Sequence, residues 1–303
     1  MTINEYIATL PFDKEPEGLY APICYALSAG GKRVRPTLAL LAYKAVGGTD
    51  EQDILPVAAA LEVFHNFTLL HDDLMDHSQT RRGRDCVHVK WDVNTAILSG
   101  DQMVIEAYQL LAQAPQWAIS RSLHLFNEMA TRICEGQQMD MDFEQGQPSM
   151  DQYLQMISGK TAALLEAALH LGAYIAKGTE EQQEALKAFG HAIGLAFQIH
   201  DDYLDCFGTL EALGKPIGGD IREHKKTYLY ILAREGGAPQ EVLDSGDYER
   251  VTTLYRELGV DKIAKNKVQQ LTLEALTLLD SLPQNESTQQ LRDLANQLIY
   301  RNN

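Results

Sequence analysis

The sequence predicts an all-α fold, a single-domain bundle of long helices, and three observations carry that expectation. Apolar residues recur at helical spacing through most of the chain, alternating strand-like runs bounded by turn residues are scarce, and breakers gather in a few places such as "SAGGKRVRP" and "GTLEALGKPIGGD". A chain of 303 residues, 45% hydrophobic and 22% charged, is long enough to bury a large core. No low-complexity linker divides it, so residues 1–303 read as one domain.

Residues 36–46 form the first predicted helix, after the glycines of "SAGGKRVRP". Pro56 opens the next, because a proline in the first turn gives up no helical hydrogen bond, and "VAAALEVFHNFTLLHDDLMD" then runs to Asp76 without a breaker. Helical periodicity continues over residues 94–111, 118–144, 150–176, 180–205, 224–233 and much of 248–301.

Composition excludes several functions. Lys and Arg total 26 against 42 Asp and Glu, a net charge of −16, and no basic stretch is long enough to follow a phosphate backbone, so nucleic acid is not an expected partner. The opening "MTINEYIATLPFDKEPEG" lacks a basic leader followed by an apolar stretch, and no segment reaches about 18 uninterrupted apolar residues; a cytoplasmic protein without a membrane span is expected. Cys24, Cys86, Cys134 and Cys206 show no CxxC spacing, which argues against a zinc site or a disulfide framework.

Chemistry enters with an echo. "LLHDDLMD" at residues 69–76 returns as "QIHDDYLD" at 198–205, each time behind an apolar run. Residues four apart share a helix face about 6 Å apart along the axis, so Asp72 pairs with Asp76, and Asp201 with Asp205. Aspartates so placed repel one another and are costly to desolvate, which calls for a cation between them. Mg²⁺ takes one or two protein carboxylates and leaves its other positions to water and phosphate oxygens. Two facing helices of this kind would clamp a diphosphate through several Mg²⁺ ions. The cations Arg81 and Arg82 of "RRG", and those of "GGKRVRP", suit the same anion.

The ordered set "GGKRVRP", "HNFTLLHDDLMD", "RRG", "LSGD", "GKTAAL", "FQIHDDYLD" and "GKPIGGDIREHKKT" resembles the trans-isoprenyl diphosphate synthases, the polyprenyl synthetases that make farnesyl, geranylgeranyl and longer diphosphates. The resemblance spans nearly the whole chain. It implies helices around a central cavity, a homodimer, and a homoallylic substrate, isopentenyl diphosphate, held by Lys32, Arg35, His65 and Arg82. It implies further that the allylic diphosphate meets Arg81, Lys160, Lys215 and Lys225. About three Mg²⁺ ions per site would be carried by Asp72, Asp76 and Asp201 with Asp205, while Asp73 and Asp202 support the same cluster. Gln198 and Thr161 match positions whose oxygens line the developing carbocation. His65 lies seven residues before Asp72 and so shares its face, which supports the assignment independently. One departure stands out: where the family commonly has glycine before its late lysine, this chain has His224, which leaves open whether Lys225 or Lys226 reaches phosphate.

The implied reaction is a head-to-tail condensation. The allylic C–O bond ionises as charge on the departing diphosphate is stabilised, the homoallylic double bond attacks, and a proton leaves. The family's product length is commonly limited by an aromatic side chain five residues before the first aspartate. Phe67 holds that place and Phe64 lies three residues further back, so the expected products are farnesyl or geranylgeranyl diphosphate, made from dimethylallyl, geranyl or farnesyl primers. Three rivals are weaker. A metal-dependent phosphohydrolase needs histidines on its metal, a terpene cyclase usually lacks the second acidic motif, and a silent partner subunit would not keep both clusters intact.

Overall fold

A computed structural model describes residues 1–209 and 217–299 of the chain. The predicted phosphate ligand Lys215 lies outside the described residues. The chain forms two compact units, Met1–Phe126 with Ala168–Thr179, and Asn127–Ala167 with Glu180–Asn303.

The first unit is built from α1 (Ile3–Ala8), α2 (Glu17–Ser28), α3 (Val34–Ala45), α4 (Leu55–Met75), a minimal hairpin of β1 (Thr80–Arg81) and β2 (Arg84–Asp85), α5 (Val87–Lys90), α6 (Val93–Leu111) and the start of α7 (Ile119–Gln145). At the centre is α4, packed on α6 and α3. Leu55, Val57, Ala58, Ala59, Ala60, Leu61 and Val63 are all fully buried, so its first two turns, Leu55–Leu61, are apolar all round, as a helix enclosed by others must be. Among the described residues, the stretch Glu51–Met75 is long and apolar enough to cross a bilayer, but 72% of its most apolar 18-residue window is buried inside the protein and the stretch carries the buried Glu62. The "LSGD" signal has a packing reason. A β-carbon on Gly100 of α6 would collide with the His71 ring on α4, and the buried Ser99 Oγ donates to the Leu19 carbonyl at 2.9 Å.

The second unit takes in the rest of α7, α8 (Met150–Ile157), a π-turn (Ser158–Ala162), the start of α9 (Ala163–Ile175), α10 (Glu180–Phe207), α11 (Gly219–Arg222), α12 (Tyr228–Glu235), α13 (Gln240–Leu243), α14 (Tyr248–Glu257), α15 (Val260–Leu278) and α16 (Glu286–Ile299). Its core is α10 laid along α15. Leu186, Phe189, Ile193, Ala196 and Ile199 line the buried stripe of α10 at three- and four-residue intervals.

The all-α expectation holds, with local corrections. Residues 150–176 are not one regular helix, because the π-turn interrupts them. The helix placed at 224–233 begins only at Tyr228, where the Thr227 side chain caps the Tyr230 N–H. The stretch 248–301 breaks at Gly259, whose φ of 69° suits glycine, and again before α16. Sequence reading passed over α1, α2 and the hairpin: α2 holds Pro22 inside it, a residue that ordinarily signals a break, and two-residue strands are too short to show alternation.

Candidate active site

In the second unit, a pocket of about 120 Å³ is lined by Asp140, Tyr153, Lys160, Thr161, Gln198, Asp201, Asp202, Asp220, Lys225, Lys226 and Thr227, with Met156 and Ile157 as its apolar part. Six residues named from sequence meet there, namely Lys160, Thr161, Gln198, Asp201, Asp202 and Lys225. Thr161 and Gln198 are joined by a hydrogen bond from the hydroxyl to the amide oxygen at 2.8 Å. The Gln198 amide then donates to Asp202 Oδ1 at 3.0 Å, one helical turn along α10. Asp202 is buried and also accepts from the Tyr153 hydroxyl at 2.6 Å and the Tyr228 N–H at 2.9 Å. Burial, with the nearby Asp220 charge, pushes its carboxyl up to about 7 despite those three donors. Asp205 is fully buried and does not line the pocket. Its two oxygens accept the N–H groups of Gly219 (3.2 Å) and Asp220 (3.1 Å), so it caps the turn that presents Asp220.

The two late lysines differ. Lys226 is nearly covered, 3.4 Å from Asp244 and over the Tyr230 ring, whereas Lys225 keeps 36% of its side chain exposed. His224 before them adopts φ 56°, a left-handed conformation that favours glycine, so the departure from the family pattern falls on a strained residue.

Lys160 leaves the π-turn and pairs with Asp140 of α7 at 2.5 Å. Behind the turn, Arg132 of α7 makes a fork on Glu166, at 2.6 and 2.9 Å, and His191 Nδ1 lies 2.8 Å from Glu166 Oε1. Burial alone would raise the Glu166 carboxyl, yet hydrogen bonds from His191 and Arg132 hold it down to about 2. A carboxylate depressed below its ordinary 4.5 contributes stability that is fully present above that pH and lost as pH falls towards 2. The shift corresponds to about 3 kcal/mol at most. Glu166→Gln is therefore expected to lower the melting temperature at neutral pH and to flatten its fall below about pH 4.5. Thermal melts across pH check this, and an acid limb identical to that of the unaltered protein would refute it.

In the first unit, Asp72 is half-buried near the end of α4, Asp73 is buried, and Asp76 is the exposed C-terminal cap. Asp73 accepts from Arg81 Nε at 2.7 Å; burial raises its carboxyl, and the Arg81 charge opposes that. Asp73, Arg81 and Arg82 also line a small cleft with Tyr25, Asn66, Leu70 and Arg84. His65 is surrounded by cations: burial first, then Arg35, Arg82, Arg81 and Arg33, keeps its imidazole well below the ordinary value and hence neutral. Arg35 is pulled down to about 10 by burial and by Arg82, against the attraction of Glu62, and its buried Nε has no hydrogen-bond partner. A concentration of positive charge with an unsatisfied donor fits an anion. Lys32 is exposed beside Arg33, whose φ of 46° starts α3 and whose guanidinium is held by Glu62 Oε1 at 2.5 Å and the Leu27 carbonyl at 2.6 Å.

Phe67 stacks edge-on against His71 (4.8 Å between centroids) and Phe64 (5.2 Å), and Phe64 against Phe126 (5.1 Å), which meets Tyr108 (5.2 Å). Phe67 is half-buried, while Phe64 is 2% exposed.

The sequence reading missed Asp140, Tyr153, Asp220 and the Arg132–Glu166 fork. Asp220 stood in "PIGGD" and Asp140 in "EGQQMD", where the signal was Gly136, set against the Lys160 backbone. Among the described residues no three His, Cys, Asp or Glu side chains form a ready metal cage. The donors present are carboxylate oxygens beside lysines and arginines, the set that suits a hard divalent cation sharing its shell with phosphate and water.

Residues 16–296 match the family model described as Polyprenyl synthetase. The chain is 45% identical over 232 residues to a short chain isoprenyl diphosphate synthase of Methanocaldococcus jannaschii, covering 76% of this chain and 70% of that protein. It is 37% identical over 324 residues to a geranylfarnesyl diphosphate synthase of Natronomonas pharaonis, covering 99% and 94%. Among solved structures it resembles a geranylgeranyl pyrophosphate synthase from Corynebacterium glutamicum complexed with isoprenyl diphosphate and magnesium, at 29% identity and a TM-score of 0.88, covering 99% and 98%.

Proposed function

The chain belongs to the polyprenyl synthetase family and is a prenyltransferase, and from that premise we propose that it condenses isopentenyl diphosphate with dimethylallyl, geranyl and farnesyl diphosphates to give farnesyl or geranylgeranyl diphosphate. The observation that carries this reading is the second unit's pocket, whose lining is shared by Lys160, Lys225, Asp201 and the hydrogen-bonded pair Thr161 and Gln198. Family relatives solved with magnesium or calcium support use of a divalent metal, and we take it to be Mg²⁺, about three ions per site. Asp72, Asp76 and Asp201 would hold it. Asp205, with both oxygens occupied by backbone N–H groups, supports the Asp220 turn instead. Bound there, Mg²⁺ supplies Lewis-acid neutralisation of charge on the departing diphosphate.

The protein's own groups do the rest. Lys160, Lys225, Lys215 and Arg81 receive the allylic diphosphate, while Lys32, Arg35, His65 and Arg82 receive the homoallylic one. The neutral His65 donates one N–H to phosphate. The Thr161 and Gln198 oxygens lie against the cationic carbon, and the apolar helix faces keep water from it. Phe67 limits the tail. The histidines argue against phosphohydrolase chemistry: His71 Nε2 is 3.2 Å from the Ile97 carbonyl, His65 sits among arginines, and His200 stacks on Tyr203.

We read both units as one catalytic domain, supported by a family match that takes in residues of each, and we place the enzyme in the cytoplasm as a homodimer without a membrane span. Val93, Ile97 and Ile105 on α6, separated by multiples of four and each more than 40% exposed, support an apolar dimer face. Ile97→Asp with Ile105→Asp is expected to convert the dimer to monomer in light scattering; an unchanged mass would remove that face. The function itself is tested by incubating the protein with Mg²⁺, isopentenyl diphosphate and each primer, then sizing the products. Elongation to C15 or C20 with release of diphosphate is expected. Release of inorganic phosphate without elongation would overturn the reading, and a C25 product would overturn its length limit.

A further inference from the structure

The π-turn brings two neighbouring residues, Lys160 and Thr161, to the lining of the second unit's pocket. An ordinary helix advances about 100° per residue, so the extra residue of a π-turn resets the face that everything after it presents. Such a turn forfeits regular hydrogen bonding and persists only where its surroundings hold it.

Here the surroundings are specific. A β-carbon on Gly136 of α7 would strike the Lys160 N–H, one on Gly159 would come within 2.5 Å of the Arg132 carbonyl, and one on Gly194 of α10 within 2.5 Å of the Ala162 backbone. Three glycines therefore let α7, the turn and α10 approach at backbone distance. Into that packing Arg132 sends its guanidinium. Nη2 donates to the Ser158 carbonyl at 3.2 Å and the Ser158 hydroxyl at 3.0 Å, which fixes the first residue of the turn. The same guanidinium is held as a fork by Glu166, just past the turn, so one side chain ties both ends. Glu166 is itself fixed from α10 by His191. Arg132 does not line the pocket.

We propose that Arg132, clamped by Glu166, is a positioning residue for the allylic half of the reaction, locking the π-turn so that Lys160 and Thr161 emerge together into the pocket. The inference rests on the roles given above to Lys160 and Thr161. The guanidinium grips Glu166 with both terminal nitrogens while Nη2 also reaches Ser158; a lysine, with one nitrogen, forfeits the Nη1 bond and with it the fixed plane of the fork.

The test is steady-state kinetics on Arg132→Gln and Arg132→Lys, together with calorimetric affinity for an unreactive allylic thiolodiphosphate and a melting curve. Displacing the turn by a fraction of an ångström is expected to lower kcat and allylic affinity by about ten-fold or more in Arg132→Gln, with KM for isopentenyl diphosphate within about two-fold. Arg132→Lys should recover part of the loss. A folded Arg132→Gln protein whose kcat and allylic affinity stay within about two-fold overturns the proposal, as does a parallel rise in both KM values, which a merely structural role would give. If Arg132→Gln does not fold, Ser158→Ala replaces it. A loss of about three-fold confined to kcat and allylic affinity supports the proposal, and no loss overturns it. Full activity in Lys160→Ala would instead sink the allylic assignment and leave the geometry of the turn untouched.

Discussion

Asp201→Asn is expected to lower kcat by about a thousand-fold, and Asp72→Asn by a similar factor, while each protein still folds. The amide keeps the shape of the carboxylate and removes the charge that would bind a divalent cation. Neither residue is deeply buried: both are half-exposed, and Asp201 faces a pocket already furnished with lysines. Without the carboxylate those lysines still attract a diphosphate, so the loss should fall on kcat more than on KM for the allylic substrate. If the two clusters act in the same turnover, the double variant will be about as slow as the slower single one, because groups that work as a unit give non-additive losses. Independent multiplication of the two losses would mean that the clusters serve separate events.

Asp202 offers the internal contrast. It accepts hydrogen bonds from Tyr153, the Tyr228 backbone and Gln198. In Asp202→Asn one of those donors must face an amide N–H₂ inside the protein, which costs about 1–3 kcal/mol. Its melting temperature should therefore drop where that of Asp201→Asn does not, although the two residues are adjacent in sequence. Equal melting temperatures for the two would count against this division of labour.

The difference between these neighbours shows what the sequence could convey. The repeat of HDDxxD, the apolar runs before it and the glycine-framed cations were legible because a helix turns charge and polarity into fixed intervals. What the acids do at each position was not. Asp205 carries the same motif position as Asp76, yet one is fully buried and caps α11 while the other is the exposed cap of α4. That distinction depends on Gly219 and Asp220, fourteen and fifteen residues onward. The π-turn was illegible for a related reason: residues 150–176 are periodic enough to read as one helix, and only the meeting of Gly136, Gly159 and Gly194, which are remote in sequence, singles out where it breaks. Long helices were therefore placed within a few residues, whereas the short α11 and the partners of Glu166 needed tertiary contacts to appear.

Phe67→Ala is expected to lengthen the product by at least one five-carbon unit. Phe67 lies one turn before His71 and is only half-buried, whereas Phe64, enclosed between Phe67 and Phe126, is core; on the proposed reading the Phe67 ring is the one that meets the growing tail. Truncating Phe67 opens space down to the Phe64 ring 5.2 Å away. The first condensation should keep its rate within about two-fold, since no diphosphate ligand is altered, and the stability cost should stay below the roughly 3–5 kcal/mol typical of a fully buried phenylalanine. Phe64→Ala alone should show the opposite pattern, a loss of stability in that range with product length held by Phe67. Only when both rings are removed should chains grow past the limit set by Phe67→Ala. Chromatography of the dephosphorylated products decides the order: if Phe64→Ala lengthens the chain and Phe67→Ala does not, the floor of the tail site lies one turn deeper than the resemblance implies.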